Sequence, residues 1–291
     1  MAPFIDEVLT GQALCVDRSQ MRRSAPRPMD GRHFDLILDM EKLWWRCLAI
    51  RRIRHRVYIS ASKHFLFSGR WPRSWQKPAH LSRQYNMLLD AAGLSVRASL
   101  PPPNFRDPEA DRRAAELLPD GRTYIGIVPG AGDREKCWPL DRFTYLARDC
   151  LVAGHVPVML LGPNEADWVD LLRRECPQAL LPAWDGKEMR LEFRSPLQTV
   201  AIGARLTAAV TNDCGVAHML AAALTPLVSL FGSTNPVKYV PLTPWVTVLA
   251  AREYGSNSLD AIPYDAVHAA LIDLIASAPP PHQRPGDSAA G

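Results

Sequence analysis

The sequence predicts an α/β protein of two domains, the second built on a doubly wound parallel sheet. Three observations carry this. The 291 residues are enough for two hydrophobic cores of ordinary size. From residue 124 to 278, short apolar runs alternate with segments of helical spacing, the order that builds a parallel sheet covered by helices. A proline-rich stretch (Pro101–Pro103, Pro108, Pro119) breaks the pattern as an interdomain crossing would. The expected boundaries are residues 1–100 for an N-terminal domain, 101–122 for a linker, 123–278 for a C-terminal domain and 279–291 for a tail.

Residues 1–33 place Arg22, Arg23, Pro26 and Pro28 ahead of any strong pattern and read mostly as loop. His33–Met40 has a strand-like apolar core. Glu41–Arg51 spaces Leu43, Trp44, Cys47 and Leu48 as a helix does. Val57–Ser60 is a second short strand, reached through Arg51, Arg52, Arg54 and Arg56. Strand–helix–strand is the unit of a parallel sheet. Residues 61–79 are basic, aromatic and turn-rich, with Lys63, His64, Phe65, Phe67, Arg70, Trp71, Arg73, Trp75 and Lys77. That composition suits an anionic acceptor or lipid headgroups. Nucleic acid is not expected, because no recognised motif accompanies the basic and aromatic residues. His80–Leu94 reads as a helix ended by Gly93, and Pro108–Leu118 as a short helix after the crossing.

In the second half, Tyr124–Val128, Val156–Leu161, Leu206–Val210, Pro226–Phe231 and Val246–Ala250 read as strands. Leu140–Val152, Glu165–Glu175, Ser195–Ala204, Cys214–Leu224 and Tyr264–Ala278 read as helices. Pro139 opens the first of these, and Ser195 caps the third with Pro196 at its first position. Leu180–Pro182 is a short extended piece. The tail Pro279–Gly291, rich in Pro, Ser, Gly and Ala, is expected to be disordered.

At 47% hydrophobic and 22% charged residues, the composition is that of a soluble globular protein. No run of about 18 apolar residues suggests a transmembrane helix. The first residues lack the basic start and apolar core of a signal peptide. Cysteines 15, 47, 137, 150, 176 and 214 form no CxxC pair, so reduced thiols in a cytoplasmic protein are expected, without a zinc site or disulfide framework. The net charge of +4 hides an asymmetry: residues 1–100 carry 17 Lys and Arg against 8 Asp and Glu, the remainder 17 against 22. A basic N-terminal third suits an anionic partner or membrane surface, although a plain solvated basic face accounts for it equally well.

Four strand-to-loop junctions carry candidate chemistry. Residues 211–218, Thr-Asn-Asp-Cys-Gly-Val-Ala-His, join a buried strand to a buried helix. Asp213 falls where an N-cap would sit, and Gly215 permits close backbone approach to a ligand. Free N–H groups and a positive dipole end at such a place suit a phosphate, and His218 lies in the same first turns. A cap with a packed histidine is the ordinary alternative. Val128–Pro139 is glycine-rich but fails two familiar tests. After Gly130 and Gly132, position 135 is Glu rather than the third Gly of GxGxxG, which disfavours a nicotinamide-dependent dehydrogenase. No Gly-Lys-Ser/Thr follows either. Lys136 there would neutralise a phosphate leaving group, or be simply an exposed loop lysine. In Leu161–Glu165, Glu165 would reach a ribose or base edge, or else serve its own helix's first turn. In Phe231–Pro236, Ser233 and Thr234 would add hydroxyl donors to a phosphate, or belong to an ordinary loop.

The segments VPGAGDREKCWP, MLLGPNEAD and TNDCGVAHMLAAALTPLVSLFGSTNP, in this order and spacing, resemble glycosyltransferase family 9, the ADP-heptose:lipopolysaccharide heptosyltransferases. The resemblance covers roughly residues 30–275 and is strongest over 124–236; DLILDMEKLWWRCLAIRRIRHRVYIS is similar to the family's N-domain strand–helix–strand. It implies a GT-B fold of two Rossmann-like domains, with a nucleotide-sugar donor such as ADP-heptose held mainly by the C-terminal one. It places Lys136 at the donor phosphates and Asp213, Gly215 and His218 along the donor site. Cys214 stands where a small hydroxyl residue is usual, and Glu165 is a weaker nucleoside candidate. The implied transfer inverts the sugar and needs no metal or other cofactor. The implied acceptor is an anionic lipopolysaccharide-type glycan, met at the cytoplasmic face of the inner membrane, with peripheral membrane contact. One departure stands out. PFIDEVL resembles the segment after the family's second strand, so the first β-α-β portion and its general-base Asp are expected to be absent. Asp6, Asp35 and Asp39 do not match that motif. A catalytically inactive donor-binding or scaffold protein is therefore the alternative.

Overall fold

A computed structural model describes residues 29, 31–41, 43–73, 76–94 and 105–284. They fall into two compact units, those up to Leu94 in one and those from Phe105 in the other. The expectations for residues 1–28, Asp6 and PFIDEVL included, and for most of the proline-rich crossing, lie outside the described residues.

In the N-terminal unit, β1 (His33–Asp39) leads through α1 (Trp44–Ile50) to β2 (Arg54–Ser60), and α2 (Leu81–Ala91) follows. The strands pair in parallel, from His33 opposite Arg54 to Asp39 opposite Ser60. β2 starts earlier than its apolar residues suggest. The ladder binds backbone, so Arg54 and Arg56 join it with their side chains exposed. α1 starts later than expected. The Glu41 N–H turns back to Asp39 Oδ1 at 2.9 Å, and its carboxylate takes Arg46 Nη1 at 2.8 Å, which makes a turn of residues expected to be helical. Ile59, Phe65, Leu88 and Ala91 form the unit's small core.

The C-terminal unit begins with α3 (Pro108–Leu117), whose N-cap Asp107 accepts the Ala110 N–H at 2.8 Å. Then come β3 (Tyr124–Val128), α4 (Leu140–Val152), β4 (Val156–Met159), α5 (Val169–Glu175), the two-residue strands β5 (Trp184–Asp185) and β6 (Glu188–Met189), and α6 (Pro196–Arg205). They are followed by β7 (Ala208–Asn212), α7 (Gly215–Ala222), β8 (Leu227–Phe231), α8 (Pro236–Tyr239), β9 (Val246–Ala250) and α9 (Tyr264–Ser277). Five strands form one parallel sheet in the order β4-β3-β7-β8-β9. β3, β4, β7 and β8 are buried at every position, as expected of strands covered on both faces. Leu118 and the α3 residues Ala110 and Ala114 belong to the main core. Buried Gln198 of α6 fastens α3 by accepting from Arg113 Nε at 3.1 Å.

Two expectations need correction. The helix expected over Glu165–Glu175 is a 3-10 turn, Pro163–Trp168, before α5. Glu165 leaves helical geometry (φ −105°, ψ 15°) because its carboxylate folds back onto the Gly162 N–H at 2.8 Å. The tail is ordered as far as residue 284. Arg284, 5% exposed, donates to the Thr207 carbonyl at 2.8 Å and the Pro279 carbonyl at 3.2 Å, pinning the chain under the start of β7. Residues 285–291 lie outside the described residues, among which no helix is long and apolar enough to cross a membrane.

Thr211 and Ser229 are register partners on β7 and β8. Both are fully buried, and their hydroxyls lack a hydrogen-bond partner among the described residues. Replacing an orphan hydroxyl by a methyl of the same shape removes a desolvation cost. Thr211→Val is therefore expected to leave the thermal midpoint unchanged or raise it by about 2–4 °C, roughly 1 kcal/mol, in a calorimetric scan. A drop of several degrees would show that the hydroxyl has a partner.

Candidate functional site

Strand order reverses between β3 and β7: β4 lies on one side of β3, while β7, β8 and β9 run off on the other. In open parallel sheets, ligands bind outside the carboxyl ends of the strands at such a switch point. The register sets Val128 opposite Thr211, and Asn212 opposite Leu230, so the loops after β3, β7 and β8 start level. The four junctions singled out in the sequence thus emerge along one rim of one sheet.

Asn212, fully buried at the end of β7, joins the two strands at the reversal. Its Oδ1 accepts the Trp138 N–H at 3.0 Å, and its Nδ2 donates to the Pro129 carbonyl at 2.8 Å. Both ends of the β3–α4 loop are thereby fixed to β7. Trp138 is itself held, its indole Nε1 donating to the Ile262 carbonyl at 3.0 Å and its ring meeting Phe143 edge-on. Between these anchors Arg134–Lys136 makes a 3-10 turn, with Asp133 Oδ1 accepting the Glu135 N–H at 3.2 Å. Lys136 is exposed on this turn and makes no ion pair among the described residues.

The β4 loop is locked to the same turn. The Arg134 guanidinium stacks on the Trp168 ring, 3.9 Å from its centre, and donates to the Asn164 carbonyl and to Asp167, each at 2.6 Å. Glu165 is 5% exposed, and its carboxyl packs so closely on Gly130 that a Cβ there would lie 2.4 Å from Glu165 Cδ. Burial pushes this carboxyl above the ordinary range, against the Gly162 N–H and the nearby Arg134 charge. Of the two roles open to Glu165, the structure shows the local one, serving the Gly162 turn. Gly132, by contrast, faces open space.

At the β7 junction the N-cap of α7 is Cys214, not Asp213. The Asp213 N–H is used by the sheet, donating to the Leu230 carbonyl at 3.0 Å. Its half-buried side chain sits just outside the helix. Cys214 is half-buried, and burial raises its thiol to about 11 even though the N–H groups of Ala217 and Val216 pull the other way. Gly215 opens the helix with no atom near its missing Cβ, and His218 is exposed one turn in. After β8, Ser233 is exposed and Thr234 half-buried, ahead of α8, whose cap Asn235 accepts the Val237 N–H at 3.0 Å.

The N-terminal unit has a hollow of its own. Lys63, His64 and Phe65 are consecutive residues with left-handed backbone (φ 49°, 57° and 62°), a costly arrangement for residues with a Cβ. Beside this turn is a hollow of about 220 Å³, walled by Phe65 and Met87 and bordered by Lys63, His64, Lys77 and Gln84. Nearby Asp39, 4% exposed, is fully engaged: the Tyr58 hydroxyl donates to one carboxylate oxygen and the Glu41 N–H to the other. Burial and that carboxylate hold the Tyr58 phenol well above its usual range.

The fold and the site define an α/β protein of GT-B-like class with a ligand rim on its C-terminal sheet. The family model for glycosyltransferase family 9 (heptosyltransferase) matches residues 22–262, and the chain belongs to that family. A lipopolysaccharide heptosyltransferase 3 from Escherichia coli is 27% identical over 220 residues, covering 72% of this chain and 62% of the relative. A lipooligosaccharide heptosyltransferase 2 from Haemophilus influenzae is 29% identical over 133 residues, covering 45% of this chain and 38% of that one. The chain thus spans less than two thirds of these relatives' length. Among solved structures, a family 9 glycosyl transferase from Veillonella parvula superposes with a TM-score of 0.64 at 20% identity, covering 84% of this chain and 74% of that one. An E. coli heptosyltransferase solved with ADP gives 0.62 at 18% identity, covering 84% and 73%. These likenesses show the fold.

Asn212→Ala would leave the Pro129 carbonyl and the Trp138 N–H buried and unpaired, at a cost of about 2–4 kcal/mol measurable by urea unfolding. Gly130→Ala is expected to destabilise by displacing Glu165. Part of the loss should return in the double variant with Glu165→Ala, because the two side chains compete for one space. The Glu165 carboxyl binds its proton more tightly in the folded chain than in the unfolded one. Its contribution to stability therefore falls as pH rises from the ordinary carboxylate range through the raised value, and Glu165→Gln should flatten that part of the stability–pH curve.

Proposed function

We propose that this chain is a glycosyltransferase that moves a heptose, or a related sugar, from an ADP-sugar to a lipopolysaccharide-core or similar glycan, with inversion and without a metal. The observation that carries the reading is the convergence at the switch point of Lys136 and the amino end of α7. The E. coli heptosyltransferase of the same fold was solved with ADP, and the relatives are named lipopolysaccharide or lipooligosaccharide heptosyltransferases. In the transfer, an acceptor hydroxyl oxygen bonds to the anomeric carbon as the bond from that carbon to the diphosphate oxygen breaks. ADP leaves with the electron pair, and the hydroxyl proton passes to a base.

Lys136 and the N–H groups at the start of α7 meet the charge that builds on the leaving diphosphate. Asp213 bears only acceptors, so it suits sugar hydroxyls better than phosphate. Ser233 and Thr234 border the same rim, and His218 supplies an exposed ring one turn along α7. Asp39 is unsuited to take the acceptor's proton, because both its oxygens are committed inside the N-terminal unit. Lys63 and Lys77 at the border of the hollow beside Lys63–Phe65 suit an anionic glycan, and we place the reaction at the cytoplasmic face of the inner membrane, with the basic unit against that surface.

The test is calorimetric binding of ADP-heptose together with transfer to a lipopolysaccharide-core acceptor. Lys136→Ala is expected to lower kcat by about 10²–10³ with a smaller change in KM, and Asp213→Ala to weaken donor binding. Donor binding without transfer would sink the enzyme reading in favour of a donor-binding protein; absence of donor binding would sink both.

A further inference from the structure

We propose that a hollow at the amino edge of the C-terminal sheet binds the phosphate dianion of a small phosphorylated molecule. Arg122 and Arg205 are the cationic partners, and Pro119, Ala204 and Pro281 border the organic body that carries the phosphate. The inference is independent of the sugar-nucleotide reading, because this hollow lies at the opposite end of β3 and β7 from the rim.

The starts of two strands frame it. β3 begins at Tyr124 and β7 at Ala208, and the Thr207 N–H donates to the Tyr124 carbonyl at 2.8 Å. Tyr124 and Thr207 border a hollow of about 360 Å³, within the size range of small-molecule sites and larger than a lone phosphate needs. The turn ahead of β3 forms one wall, where Gly121 takes left-handed backbone (φ 86°) and Arg122 follows. The chain after α9 forms another. Arg284 holds it by donating to the Thr207 carbonyl at 2.8 Å, which brings Pro281 and His282 to the hollow.

Three arginines and a histidine border this space against one carboxylate, Asp120. Arg106 is committed to Asp111, its Nε donating to both carboxylate oxygens at 2.9 Å. Arg122 is exposed and makes no hydrogen bond or ion pair among the described residues. The Arg205 side chain is 22% exposed and fixed at its base, where Nε donates to the Leu118 carbonyl at 2.6 Å. Its Nη2 donates to Asp120, whose side chain is 98% exposed. An ion pair so open to water contributes little, so a ligand anion can replace Asp120 without moving the guanidinium. The two cations act on one place: the charges of Arg122 and Arg205 each favour the anion of the Tyr124 phenol, against the burial that raises it. The Thr207 hydroxyl and the His282 ring add neutral donors. Two guanidinium groups with a hydroxyl and an imidazole exceed what the two oxygens of a carboxylate can satisfy. The double charge and three terminal oxygens of a phosphate monoester match them.

The experiment is calorimetric titration of the full chain with glucose 6-phosphate, inorganic phosphate and glucose. Saturable binding of both phosphates and none of glucose is expected, weakening as salt rises. Arg122→Glu, at an exposed side chain, should weaken glucose 6-phosphate at least about tenfold while leaving the circular dichroism unchanged. Arg205→Lys keeps the charge but loses the planar fork, and should weaken binding about threefold or more. Lys136→Ala, at the other end of the sheet, should bind both phosphates as the wild type does. Absence of phosphate binding, exclusion of glucose 6-phosphate while inorganic phosphate binds, or wild-type affinity in Arg122→Glu would overturn the proposal. So would binding that Lys136→Ala abolishes, because the phosphate would then sit at the rim. A wild type that binds glucose 6-phosphate through Arg122 but no ADP-heptose would keep this site and lose the transferase reading.

Discussion

The C-terminal unit depends on one buried amide. Parallel strands on either side of a reversal in order are joined through no short loop, so the loops above them need another constraint. Asn212 supplies it, as acceptor to one end of the β3–α4 loop and donor to the other. A carboxylate there would have no donor for the Pro129 carbonyl, and an aliphatic side chain would satisfy neither group. Lys136 sits on a turn of three residues between these fixed ends. Its reach is thus set by β7, the strand that also positions α7. The cation and the helix amino end are placed by the same bond network, which is the preorganisation that stabilising a developing charge requires.

A second layer of the same logic links the β3 and β4 loops. The Arg134 side chain lies across Trp168, and the Glu165 carboxyl fills the space left by the missing side chain at Gly130. Together they leave the Lys136 turn little freedom to tilt away from β7. Burying Glu165 has an electrostatic cost, visible in its raised proton affinity. The Gly162 N–H and the Arg134 charge offset it only in part.

Much of this was legible in the sequence because strong apolar periodicity fixes strands and helices locally. β3, α4 and β9 fall where their apolar runs lie. The four loops were legible because each follows such a strand. Elements decided by side chains were not. Glu41 and Glu165 suit helices by propensity, yet each sits in a turn because a carboxylate finds a nearer backbone N–H or cation. Cys214 rather than Asp213 caps α7, because the ladder to β8 extends through the Asp213 N–H and carries the helix start one residue on. Asn212 carried no signal at all: a buried asparagine at a strand end reads as an ordinary loop residue until the strand order is known. Arg284 was hidden in the same way, since its partner is the carbonyl of Thr207, far away in sequence.

The two units divide the chemistry according to charge. The C-terminal unit gathers isolated donors, one lysine and one helix end, at a single rim, as suits an anion whose charge changes during a reaction. The N-terminal unit spreads its cations over the surface around apolar side chains, and Asp39, the one deeply buried carboxylate among its described residues, holds β1, β2 and the start of α1 together. That contrast in how charge is arranged is why the diphosphate of the proposed donor is sought at the C-terminal rim.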